Sequence, residues 1–130
     1  MNTDAMIEQW NKAYQDHVQF DASLHINDLV IVRWENKRHH AQLEAVCIVT
    51  RILKTTLVCA LLDAIHIEDA EKTIHYEHGH HIYVPRYGQD AWSIAWGAFP
   101  YDEKNDTKHH VSLAGKMRLM TAELGFSYGS

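Results

Sequence analysis

The chain has 130 residues, 46% of them hydrophobic and 22% charged, and a formal net charge of -5 with the histidines neutral. That length supports one hydrophobic core rather than two, and the composition is that of a globular domain rather than a disordered segment. An acidic balance with no evident basic cluster argues against a nucleic-acid partner, because a phosphate backbone would be repelled.

Thr3 can cap a helix whose first turn carries Asp4, and Met6, Ile7, Trp10, Tyr14 and Val18 recur on one face at helical spacing. This pattern predicts a first helix that covers a sheet. From Asp28 the period changes, and Leu29, Val30, Ile31, Val32 and Trp34 predict a short strand ending at the polar stretch Glu35 to His40. Leu43 to Leu53 and Thr56 to Ile65 are β-branched runs joined across Lys54 and Thr55, which reads as a hairpin, although ALLDAI in the second run also suits a helix.

Glu68 to Lys72 is a charged connection. Thr73 to His78 and His80 to Tyr87 then predict two strands around Gly79, the second ending early or lying at an edge because of Pro85. Asp90 could cap a short helix through Trp92, Ala95 and Trp96, while the alternation there would serve a strand equally well. After the polar loop PYDEKNDTK, Val111, Ala114, Met117, Met120 and Leu124 repeat at helical spacing before Gly125, which predicts a C-terminal helix. No repeat or linker divides these pieces. The expected architecture is a single α+β domain over 1–130, a bent antiparallel sheet flanked by N- and C-terminal helices.

Cys47 and Cys59 both lie in apolar runs and read as buried thiols rather than as a disulfide framework. The longest apolar stretch, Ala45 to Ile65, is cut by Arg51, Lys54 and Asp63, so no membrane span is expected. MNTDAMIEQW has neither a basic region nor an apolar stretch, and a cytoplasmic location is the expectation.

The run DLVIVRWENKRHHAQLEAVCIVTRILKTTLVCALLDA resembles the opening strands of a small SH3-like or Tudor-like barrel, in which a strand of the VxVRW type is followed by a polar loop and two strongly bent strands. The resemblance implies a small partial barrel. It also implies binding of peptides, modified side chains or nucleic acid through aromatic residues near the barrel loops. Trp34, Tyr76, Tyr83 and Tyr87 could supply such a surface and attract a cation through their ring faces. The other reading of Trp34 is a core residue. The chain departs from the family pattern by its flanking helices and its histidine-rich strand pair.

The segment TIHYEHGHHIYVPRY gathers His75, Glu77, His78, His80 and His81 around Gly79. Zinc takes three or four such donors converging tetrahedrally, and strand alternation sends neighbouring side chains to opposite faces, so help from His39, His40, His109 or His110 would be needed. No HExxH helix, paired-cysteine motif or glycine-elbow serine is present. The expected role is therefore a non-enzymatic binding or adaptor protein with a protein partner, which could be a second copy in a homodimer. Trp34, Tyr83, Tyr87, Trp92, Trp96 and Phe99 are the candidate contacts, and no cofactor is expected. The alternative is a zinc-dependent hydrolase or a metal-sensing protein built on the five residues around Gly79.

Overall fold

The β-branched residues and Trp34 of Leu29–Asn36 alternate between two environments and form the central strand β1, with Val30, Val32 and Trp34 buried on one side. The computed structural model describes residues 3–86, 96–109 and 111–112. Within them the chain runs through a helix α1 (Thr3–Ala22), then β1, β2 (Ala41–Ile52), β3 (Thr56–Leu61), β4 (Ile65–Glu68), β5 (Thr73–Tyr76), β6 (His81–Pro85) and β7 (Gly97–Pro100). Five strands form an antiparallel sheet in the order β6-β3-β2-β1-β7, and β4 pairs with β5 in a separate two-stranded sheet.

The long strand β2 gives the sheet its curl. Its register with β3 shifts between Val49 and Arg51, and the extra residue, Thr50, turns its hydroxyl to the Val58 carbonyl at 3.0 Å. A bulge of this kind bends a strand and tightens its twist. The sheet becomes a half-barrel whose edge strands β6 and β7 come into contact. Its concave side encloses Val30, Val32, Trp34, Leu43, Cys47, Val49, Leu57, Cys59, Leu61, Ile82, Val84 and Ala98. A second cluster lies on the convex side, where Val46, Ile48 and Leu62 meet Val111, Leu29 and Tyr101. Both faces of β2 are thus buried, which accounts for the unbroken apolar run AVCIV.

The ends of the half-barrel are closed by different elements. At the end where β1 begins, Phe20 and Leu24 pack against the core, and Asn27, in a left-handed conformation (φ 78°), donates its N–H to the Val49 carbonyl at 2.8 Å. At the other end sit Ile65, Ile74 and Tyr76 of the β4–β5 hairpin. Asp69 makes the turn of that hairpin by accepting the N–H groups of Glu71 (2.9 Å) and Lys72 (3.0 Å).

The helical alternative at ALLDAI gives way to β3 and β4, and the connection expected at 68–72 is the turn between β4 and β5. The histidine-rich strands do not form a hairpin. β5 pairs with β4 and β6 pairs with β3, because Gly79 (φ 80°) lets the chain cross: its N–H reaches the Leu61 carbonyl at 2.7 Å, and Leu61 N–H reaches the His80 carbonyl at 3.0 Å. In the segment that could have been helix or strand, Gly97–Pro100 is strand, and 87–95 lies outside the described residues. Among the described residues, the first helix meets the sheet through its last turns. The C-terminal helix expected from Val111 to Leu124 falls outside the described residues, apart from Val111 and Ser112.

One ion pair fastens α1 to the sheet. Asp21, 4% exposed, accepts from Arg86 Nε at 3.1 Å and Nη2 at 2.8 Å, while Arg86 Nη1 donates to the Leu53 carbonyl at 2.6 Å. His17 adds a ring N–H to the Arg86 carbonyl at 3.0 Å. The fork thus joins the end of α1, the β2–β3 turn and the end of β6. Arg86→Met should leave the Asp21 carboxylate buried without its partner and lower unfolding stability by about 3–5 kcal/mol in denaturant melts. Asp21→Asn on top of it should recover part of the loss.

Candidate functional site

The side chains around Gly79 take up separate partners. His75 lies across from His66 in the β4–β5 hairpin, with ring centroids 5.3 Å apart, and its Nε2 is 3.2 Å from Glu77. His66 Nε2 is in turn 3.4 Å from Glu68. His78 donates its Nδ1–H to the Leu62 carbonyl at 2.8 Å, His80 stacks edgewise on Tyr76 at 4.9 Å, and His81 is exposed on β6 opposite Ala60. Among the described residues no group of three or more His, Cys, Asp or Glu side chains is arranged to hold a metal ion.

The aromatic candidates also disperse. Trp34 is a core residue, 8% exposed, in a T-shaped contact with Tyr76 at 5.5 Å, and its indole Nε1 has no hydrogen-bond partner. The Tyr76 hydroxyl accepts from Asn36 Nδ2 at 3.0 Å. Phe99 is half-buried beneath the Arg33 guanidinium, 4.3 Å from the ring centroid, and Trp96 is half-buried. Tyr83 stands out from the edge strand β6, 66% exposed. Tyr87 and Trp92 lie outside the described residues.

The most apolar exposed surface among the described residues is on α1. Met6, Ile7, Trp10 and Tyr14 form a stripe along its first three to four turns, with Trp10 57% exposed. At 100° per residue, Glu8, Lys12 and Asp16 fall on the opposite side and Asp4 lies beside Ile7, so the helix is amphipathic, with Met6, Ile7 and Trp10 exposed on its apolar side. The side of α1 that meets the sheet is reached further along, where Ala13, His17 and Phe20 face Ala98, Phe99 and Pro100 of β7 across a groove of about 180 Å³. The apolar residues were legible in the sequence, but periodicity reports which side of a helix is apolar and not what covers it.

A polar cluster occupies the convex side, beside a cavity of about 270 Å³ lined by Glu44, Asp63, Ile65, Lys108 and His109. Glu44 is bonded to Arg33 Nε, to His109 Nε2 at 2.5 Å and to Lys108 Nζ at 3.1 Å. Burial alone would raise its carboxyl, but the hydrogen bonds from Arg33, His109 and Lys108 override that and hold it down at about 2. His109, 12% exposed, gives its other ring nitrogen to Asp106 at 2.8 Å. Carboxylates only accept, so both ring nitrogens carry protons and the side chain is an imidazolium. Burial works against that charge, but the bonds to Asp106 and Glu44 prevail and its pKa is raised above 6.5. Asp63 is occupied as well, accepting from the Ser112 backbone N–H at 2.9 Å and from its hydroxyl.

A general base needs a free lone pair aimed at a substrate, and here His109 has both nitrogens committed and Glu44 is saturated by three cations. The cluster is a clasp that holds Lys108 and His109 to Glu44 on β2. Comparison with family models, with curated proteins and with solved structures finds no match for the chain.

The two shifts have opposite signs in pH. The contribution of His109, whose pKa is raised, is complete below 6.5 and is lost as pH climbs through its folded value. That of Glu44, whose pKa is lowered, is complete above 4.5 and is lost as pH falls toward about 2. His109→Gln should therefore lower the melting temperature by a few degrees at pH 6, and the gap to the native chain should narrow as pH is raised to 9. At Trp34 the indole N–H makes no bond, so Trp34→Phe should cost under about 1.5 kcal/mol, while Trp34→Ala should cost about 3–5 kcal/mol. Both are read from denaturant unfolding.

Proposed function

We propose that this chain is a small non-enzymatic binding module that acts through contacts with another protein. The observation that carries the reading is the open apolar side of α1 at Met6, Ile7 and Trp10. Isolated apolar side chains on a surface are ordinary, but Met6, Ile7 and Trp10 on one helical stripe make a patch of the kind that interfaces use. The exposed ring of Tyr83 is a second contact point. Tyr87, Trp92, Trp96 and Phe99 remain candidates, whereas Trp34 is buried against Tyr76 in the core and presents no contact surface. An enzymatic reading has less support, since the best-developed acid–base cluster, around Glu44 and His109, uses all its donors and acceptors internally.

The SH3-like reading is retained as a proposal. It is supported by Arg33 and Trp34 on β1, by the polar turn at 37–40, and by the bend of β2 at Val49 to Arg51. A C-terminal helix from Val111 to Leu124 remains part of it. No helix of the described residues is long and apolar enough to cross a membrane. Cys47 and Cys59 are free and buried on adjacent strands, with the Cys59 thiol pushed up to about 12 by burial, and a cytoplasmic location remains part of the proposal.

Affinity capture with the native chain and with Trp10→Glu tests the reading. A protein retained by the native chain and lost with the variant, while the two share one melting temperature, is the expected result. Elemental analysis of protein purified without a histidine tag is its counterpart. Stoichiometric zinc, removable by chelator with a marked fall in melting temperature, would move the metalloprotein alternative into first place.

A further inference from the structure

We infer that the segment 113–124 docks on the convex side of the sheet and completes an outer layer over the half-barrel. The docking is independent of what α1 binds. Alternation along the strands sends Ile31 of β1, Val46 and Ile48 of β2 and Val58 of β3 outward, opposite to the core residues Val30, Cys47 and Cys59. All four are nonetheless buried in the single chain, at 8%, 6%, 6% and 2% exposure. Val58 is the sharpest case, because its cross-strand neighbours Arg51 and Tyr83 are both exposed. An outward side chain on an antiparallel sheet meets water unless a second layer lies over it. Among the described residues that layer consists of Val111 and Tyr101, which with Leu29 pack on Val46, Ile48 and Leu62, while Ile31 and Val58 belong to neither core cluster. The burial is present in one chain by itself, so the chain supplies the remainder of its own cover.

The chain is delivered to this face just as the segment begins. Val111 lies in the outer cluster, and Asp63 fixes the next residue by accepting the Ser112 backbone N–H at 2.9 Å and its hydroxyl. From there Leu113, Met117, Met120 and Leu124 follow the i, i+4, i+7, i+11 spacing that puts four apolar side chains on one narrow helical stripe. Lys116, Arg118 and Glu123 fall outside that stripe, so the contact buries no charge. At about 1.5 Å per residue the stripe is roughly 16 Å long, and β3 lies roughly 10 Å from β1 across β2, so a single pass reaches both Val58 and Ile31. Residues 87–95 do not compete for this place. They join β6 to β7, the edge strands that touch where the half-barrel closes, whereas Ile31 and Val58 belong to the three central strands.

Methyl NOE spectroscopy of the native chain, beside the melting temperature of a chain truncated after Ser112, tests the proposal. Contacts from the Met117 and Met120 methyl groups to those of Ile31 and Val58 are the expected result, with a truncated chain that melts lower by on the order of ten degrees. Met117 and Met120 methyl groups without contacts to the sheet overturn the proposal. So do contacts to Ile31 and Val58 from Ala91 or Ile94, which would put 87–95 over the face instead. A truncated chain with the melting temperature of the native one also overturns it, because the outer layer is then complete without 113–124. If truncation abolishes folding, the methyl contacts of the intact chain decide the matter alone.

Discussion

The bend in β2 is the constraint on which the remaining structure depends. A flat sheet of five strands could bury one face only against a separate layer, whereas a sheet bent at Val49–Arg51 folds its own strands around a single core. Curling transfers the difficulty to the two open ends, where apolar side chains would otherwise meet water. The chain closes one end with Phe20 and Leu24, and the other with the β4–β5 hairpin through Ile65, Ile74 and Tyr76. Each plug is also held by polar bonds at its rim: the Asp21–Arg86 fork at the first, and the bonds of Gly79 and His78 to Leu61 and Leu62 at the second.

The division of labour in α1 follows from this. Its C-terminal turns are part of the closure, and a twenty-residue helix rises about 30 Å, which is more than one end of a small half-barrel can cover. The surplus length carries the stripe. The clasp on the convex side has a comparable logic: Glu44 on β2 gathers Arg33 from β1 together with Lys108 and His109 from the chain beyond β7, beside the outer cluster that Val111 joins.

What could be read from the sequence was local. The change of period at Asp28, the β2–β3 hairpin across Lys54 and Thr55, the strands on either side of Gly79 and the burial of both cysteines are all present. Strand partners were not legible, because alternation assigns faces but is silent on which strand lies alongside; hence the histidine segment looked like one hairpin and is divided between two sheets. The β4–β5 hairpin did leave a signal in Asp69, a turn former between the alternating runs IHIE and TIHY, which was read as a plain charged connection. The clasp of Glu44 with His109 spans 65 positions and has no sequence signature. The stripe on α1 is apolar as its spacing predicts, and among the described residues it is the last turns of the helix that meet the sheet.

Fold and proposed role come together in a helix fastened at its C-terminal end, with Met6, Ile7 and Trp10 exposed toward the other. Residue-resolved amide hydrogen exchange on the dilute chain tests that arrangement most directly. Amides of β1, β2 and β3 and those of α1 around Asp21 should exchange at the rate of global unfolding, while amides from Ile7 to Tyr14 should exchange orders of magnitude faster. Uniform slow exchange along the whole of α1 at that dilution would contradict it, since the apolar stripe would then be packed within the single chain and unavailable to any partner.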